Sequence, residues 1–147
     1  MARFEDINKF LEGKGIDFEV IKLSGIARSV EDVLKLTNGR VNRDEVIKTL
    51  IVKDRDGNFI GCVLQGGDRL KDNAFERLAT KDEVLQVAGV EFGAVCPILL
   101  GTPIVIDKKV MNLKRVNMGS GDLLKGIEMN FQDLLSILPD YKIKEIT

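Results

Sequence analysis

The chain has 147 residues, with 22 Lys+Arg against 23 Asp+Glu and a formal net charge of −1. A chain of this length is expected to form one domain, residues 1–147, and to bury about 70% of the surface its unfolded form exposes without disulfides or metal. Near-neutrality excludes a global field drawing it onto nucleic acid or anionic lipid, and the lack of any histidine excludes Ser-His-Asp and Cys-His hydrolysis and His-rich zinc sites.

Phe4, Ile7, Phe10 and Leu11 recur at helical spacing ahead of Gly13 and Gly15, which predicts an amphipathic helix over residues 3–13. Phe18, Val20 and Lys22 alternate as a short strand. Ser29 stands three residues before Asp32, the spacing of an N-cap on a short helix that ends near Asn38-Gly39. Residues 46–52 are rich in β-branched side chains, and Asp54-Arg55-Asp56-Gly57-Asn58 turns them into a second strand over 59–64. Gly66-Gly67-Asp68 breaks this hairpin, and residues 72–78 read as helical. Thr80-Lys81-Asp82-Glu83 is a capping box opening a helix that runs through Ala88 to Gly89. Residues 92–97 read as a loop bounded by glycine and proline, with strands at 104–106, 114–118 and 124–129 after it. Asn130 caps a helix over 131–138, and Tyr141, Ile143 and Ile146 mark a last strand. Consecutive strands in the middle break strict βαβ alternation. The expected class is therefore α+β, a single domain with a mixed, curved, barrel-like sheet flanked by helices.

Lys48 lies inside Val46-Ile47-Lys48-Thr49-Leu50-Ile51-Val52 and alternates onto the face of Val46, Leu50 and Val52. If that face is buried or lines a cleft, the lysine needs an anion or polar backbone near it, which makes it a functional candidate. If Ile47, Thr49 and Ile51 face the core instead, it is solvated. Gly93-Ala94-Val95-Cys96-Pro97 has the small residues that let backbone N–H groups converge on an anion, though an ordinary connecting loop has the same composition. The same two readings apply to Gly119-Ser120-Gly121-Asp122, as phosphate or carboxylate cradle or plain turn. Asp68 and Asp107 stand at turn or strand ends with no partner carboxylate, so a two-carboxylate hydrolase has no support. Cys62 and Cys96 form no Cys-x-x-Cys, and without an imidazole base Cys96 reads as a small packing residue rather than a nucleophile. Local basic groups, Lys108, Lys109, Lys114 and Arg115, then Lys35, Arg40 and Arg43, are the candidates for phosphate contact. Met1-Ala2-Arg3-Phe4-Glu5-Asp6 holds no apolar signal core, and the longest apolar run, near residues 94–100, is interrupted by Pro97. The expectation is a cytoplasmic protein with no membrane partner.

In order along the chain, Val46-Ile47-Lys48-Thr49-Leu50, Gly66-Gly67-Asp68-Arg69-Leu70, Leu78-Ala79-Thr80-Lys81-Asp82-Glu83-Val84, Gly93-Ala94-Val95-Cys96-Pro97, Ile106-Asp107, Gly119-Ser120-Gly121-Asp122 and Asp133-Leu134-Leu135 resemble the YbaK/prolyl-tRNA synthetase-associated domain family. The resemblance covers roughly residues 17–138. It implies an aminoacyl-tRNA deacylase that hydrolyses the ester of mischarged tRNA, typically alanine or cysteine on proline tRNA, and so protects translation fidelity without cofactor or metal. Lys48 then matches the family's functional lysine, holding the terminal phosphate or the amino and carbonyl region of the substrate. The backbone amides of Gly93, Ala94, Val95 and Cys96 would stabilise the oxyanion, and the ribose 2′-hydroxyl would activate water. Thr49, Gly67, Asp68, Pro97, Asp107, Gly119, Ser120 and Gly121 would line the substrate pocket. The implied partners are the acceptor end of aminoacyl-tRNA and a synthetase. Ala94 and Cys96, and Arg28-Ser29 before the first long strand, depart from the family's usual residues, which leaves the edited amino acid open. A non-catalytic module of the same fold that binds an amino acid, a nucleotide or a synthetase is the alternative.

Overall fold

The computed structural model describes residues 2–147 and has four helices and two sheets. Helix α1 (Phe4–Gly13) buries Ile7 and Leu11 on one face. Strand β1 (Phe18–Lys22) follows, then α2 (Val30–Leu36), whose N-cap Ser29 accepts from the Asp32 N–H at 3.1 Å. The expected hairpin is β2 (Ile47–Lys53) and β3 (Phe59–Gln65). In its turn Asp54 Oδ1 accepts from the N–H groups of Asp56 and Asn58, while Gly57 takes the left-handed φ of 85° that a side chain would oppose. Helix α3 (Lys81–Ala88) begins with the full Thr80/Glu83 capping box and ends at left-handed Gly89. Strands β5 (Ile104–Asp107), β6 (Arg115–Gly119) and β7 (Lys125–Asn130) precede α4 (Phe131–Ile137), capped by Asn130, and β8 (Lys142–Lys144).

Residues 72–78 are not a helix. They form turns, with Asn73 in the left-handed region, that lead into β4 (Arg77–Leu78) beside the end of β2. The segment is held by tertiary contacts: the Glu76 N–H donates to Lys53 O, and Leu70 and Phe75 pack against Val52, Cys62 and Leu64. Around Phe92–Ala94 and Lys108–Asn112 the chain winds into short 3-10 turns that periodicity does not signal.

The strands divide into two sheets rather than one curved sheet. One is antiparallel in the order β1-β7-β6, the other mixed in the order β4-β2-β3-β5-β8, with β3-β5 and β5-β8 parallel. An isolated bridge between Val46 and Asn117 joins them and leaves the barrel open. The main core draws Ile47, Ile51 and Val63 from one sheet, Val116, Ile127 and Met129 from the other, and Phe131 and Leu134 from α4. A second cluster of Val52, Cys62, Leu64, Val105 and Ile146 covers the opposite face of β2 and β3. Both faces of β2 are thus covered, so the face that carries Lys48 is not a freely solvated one.

Candidate functional site

Where the two sheets meet, a cavity of about 440 Å³ opens, within the range typical of small-molecule sites. Its walls are the segment entering α2, the start of β2, Gly66-Gly67, the turn at Phe92-Gly93 with Val95, the end of β6, and Leu123, Lys125 and Gly126. Three glycines bring these walls together. A Cβ on Gly93 would lie 2.9 Å from Arg28 Cα, one on Gly119 2.6 Å from Val95 O, and one on Gly66 2.5 Å from Val30 Cγ2. Nothing larger than hydrogen fits at these junctions.

Lys48 is half-buried on the cavity wall. Burial pulls its ammonium pKa below the usual lysine value, Asp68 opposes that shift and Arg69 adds to it. Asp68 pairs with Lys109 at 3.6 Å, so the carboxylate that attracts Lys48 is shared with another cation. Other cations on the wall are committed as well. Arg43 pairs with Glu31 at 2.8 Å and Arg28 with Glu91 at 3.3 Å, while Lys125 lies over the Phe4 ring.

Of the residues singled out in the sequence, Lys48, Thr49, Gly67, Gly93, Val95 and Gly119 meet at this cavity. Gly66 and Arg43 lie there too, while the remaining candidates lie off the wall. Ala94 is buried behind the loop, its N–H donating to Glu91 O and its carbonyl accepting from the Gly121 N–H, so its amide is already used. Pro97 is buried off the cavity wall. Cys96 is fully buried, and burial pushes its thiol up to about 12, which removes any thiolate nucleophile at neutral pH. Ser120 donates to Lys125 O at 2.6 Å and ties the β6–β7 turn, while Gly121, at φ 87°, packs against the backbone of Ala2 and Phe4. Asp107 accepts from the N–H groups of Ile146 and Lys109 and from the Thr147 hydroxyl, holding the residues after β8. The basic residues proposed for phosphate are largely paired: Arg40 and Arg115 both grip Glu128.

Sequence reasoning missed several wall residues, among them Leu123 and Asn117, and gave Arg28 no role of its own. No local pattern marks them, because only the contact of Gly93 with Arg28 and the bridge of Val46 with Asn117 bring them to Lys48. Among the described residues no group of three or more Cys, Asp or Glu side chains comes together to hold a metal, and no helix is long and apolar enough to cross a membrane.

The fold is an α+β domain with a cavity between its two sheets. A model of the aminoacyl-tRNA editing domain matches residues 26–137, and the chain belongs to that family, as the ordered motifs anticipate. The chain is 34% identical over 103 residues to a proline–tRNA ligase of Sulfurihydrogenibium sp. (65% of this chain, 18% of the relative), and 25% identical over 136 residues to one of Buchnera aphidicola (82% and 24%). It therefore spans less than a quarter of the length of these curated relatives. Two crystal structures share the fold. A hypothetical protein superposes with a TM-score of 0.83 at 24% identity, covering 95% of this chain and 97% of its own, and a candidate trans-editing enzyme for prolyl-tRNA synthetase with 0.80 at 18%, covering 97% and 95%.

Proposed function

We propose that the chain hydrolyses the ester of mischarged aminoacyl-tRNA, taking a small amino acid such as alanine or cysteine on proline tRNA. The observation that carries this reading is the placement of half-buried Lys48 on the wall of a 440 Å³ cavity, beside the Gly93 turn and the end of β6, in a member of the editing family. Similarity to proline–tRNA ligases supports proline tRNA as the carrier.

Ester hydrolysis needs a water nucleophile, stabilisation of the charge that grows on the carbonyl oxygen, and a proton for the departing ribose oxygen. An aminoacyl ester is already activated, so orientation and electrostatics provide most of what is required. Lys48 supplies positive charge next to the carbonyl oxygen or the terminal phosphate, in a partly desolvated place where that charge acts strongly. The Gly93 N–H, at the start of its turn and on the cavity wall, is the loop amide best placed to assist; the Ala94 N–H is occupied by Glu91. With Cys96 buried and histidine absent, water attacks the carbonyl carbon directly, and as the ester C–O bond breaks its proton is relayed through the substrate's own 2′-hydroxyl to the departing 3′ oxygen, releasing the amino acid and the tRNA.

The test is the half-life of a panel of aminoacyl-tRNAs, including alanine- and cysteine-charged proline tRNA, with wild-type protein and Lys48→Ala. Rapid loss of one mischarged species, slowed at least tenfold by the substitution, is the expected result. No acceleration across the panel would transfer the cavity to a non-catalytic binding module.

A further inference from the structure

Phe92 is the one aromatic side chain in the cavity lining, and at 43% exposed it is also the one exposed aromatic among the described residues. The other phenylalanines have a place in the fold. Phe10, Phe18, Phe59 and Phe131 belong to the main core or pack against it, Phe75 packs against the second cluster, and Phe4 carries Lys125 on its ring. Phe92 belongs to no apolar cluster, yet its backbone is held on both sides. Before it, Glu91 pairs with Arg28 and accepts the Ala94 N–H at 2.9 Å; after it, Gly93 leaves no room for a Cβ against Arg28. The ring therefore stands on a fixed turn at the cavity mouth, partly inside and partly in solvent. Lys81 Nζ lies over it, 5.5 Å from the centroid, but Lys81 is not a lining residue, so the surface the ring turns to the cavity is free of that cation.

We infer that Phe92 is the platform on which the terminal adenine of the aminoacyl-tRNA stacks. This inference rests on the deacylase reading, which places the ester and leaves the base without a partner. Every tRNA ends in adenosine, and only the ribose separates its base from the ester on the 3′ oxygen. A platform for the base must therefore stand close to the amide that meets the carbonyl, and Phe92 is bonded to Gly93. Depth points the same way: Thr49, Val95 and Met118 are buried, so the aminoacyl group goes inward past Phe92 while the nucleoside stays at the mouth. Proteins usually hold nucleic acid by charge, but this chain has a net charge of −1, and Arg28 and Arg43 on the wall are already paired with Glu91 and Glu31. An aromatic face supplies affinity that does not depend on charge.

The experiment is calorimetric binding of two non-hydrolysable probes, the 3′-alanylamide of 3′-amino-3′-deoxyadenosine and the same amide on a sugar that carries hydrogen in place of adenine. Wild type is expected to bind the adenine probe about tenfold more tightly, within the range of one base stacked on one aromatic ring. Phe92→Leu, apolar but without an aromatic face, should bring that ratio toward one and leave the affinity for the base-free probe unchanged, while Phe92→Trp keeps or raises the ratio. The chain has no other tryptophan, so the emission of Phe92→Trp reports on this site alone and should be quenched by the adenine probe and not by the base-free one. Both variants change an exposed side chain and should melt within about 2 °C of wild type. Equal binding of the two probes by wild type, or a ratio that Phe92→Leu leaves undiminished, overturns the inference and leaves the deacylase reading standing. A Phe92→Leu variant that weakens both probes alike assigns the ring to the aminoacyl pocket, which also overturns it. Wild type that binds neither probe but still clears a mischarged tRNA overturns this inference alone; if it clears none, the deacylase reading falls with it.

Discussion

Gly119→Ala is expected to destabilise the protein although it adds one methyl group at a position with no backbone strain. The new Cβ would lie 2.6 Å from Val95 O and 3.0 Å from Ala94 O, where real contacts rarely fall below 3.4 Å. The end of β6 and the 93–97 loop must therefore separate by about 0.8 Å, the difference between 3.4 and 2.6 Å. Both neighbours are backbone, so no rotamer change relieves the contact. Overpacking of this kind costs about 1–3 kcal/mol, and the lower entropy of the unfolded alanine chain returns about 0.4–1 kcal/mol. The net loss is about 1–2 kcal/mol, which at roughly 2–4 °C per kcal/mol lowers Tm by about 2–8 °C. Gly67→Ala is the control, on the same cavity with nothing within 4 Å of its Cβ, and should melt within about 2 °C of wild type. Thermal melts of the three proteins decide the matter. A Gly119→Ala variant as stable as wild type, or a Gly67→Ala variant equally weakened, would refute the backbone-on-backbone account of the cavity.

Glu128 is opposed by burial, but hydrogen bonds from Arg40, Arg115 and Asn117 outweigh it and hold the pKa below the usual carboxylate value. Its stabilisation is therefore present above the unfolded pKa and is lost as pH falls through the folded one. Glu128→Gln should cost about 1–3 kcal/mol in denaturant melts at pH 7 and progressively less below pH 4, and a constant difference across that range would contradict the reading. Cys62 and Cys96 are buried, with thiols pushed up to about 12, so a thiol reagent should leave both unmodified in native protein at pH 8 and titrate two after denaturation. Rapid native labelling of either would show that the core opens there.

Features held by neighbouring residues were legible in the sequence. The Ser29 and Asn130 caps, the Thr80/Glu83 box and the Asp54 turn each rest on hydrogen bonds within four residues, so their spacing announces them. Residues 72–78 were not legible, because turns and a two-residue strand there are stabilised from outside, by Lys53 and by the packing of Phe75. Alternation left Lys48 undecided for a related reason. Ile47 and Ile51 face the main core while Val52 faces the second cluster, and a strand covered on both sides gives no polar face to read. For the candidate site, Lys48 and several of the glycines share one cavity, but Asp107 and Ser120 show that a polar residue at a strand end serves the fold as readily as a ligand. Asn117 gave no signal at all, since its position depends on a bridge between sheets and its orientation on a carboxylate held by Arg40 and Arg115.

The glycine junctions also limit how such a cavity can evolve. Gly66, Gly93 and Gly119 set the spacing of the walls by contacts that any Cβ would disturb, so a side chain at these positions costs stability. On the deacylase reading, a change in the amino acid accepted comes more cheaply from lining residues outside those contacts, such as Leu23 or Met118, by trimming or extending them one carbon at a time. Each such step shifts discrimination by only about 1–3 kcal/mol. A rigid frame with exchangeable lining thus allows related domains to diverge in the amino acid they reject while the architecture that presents Lys48 stays the same.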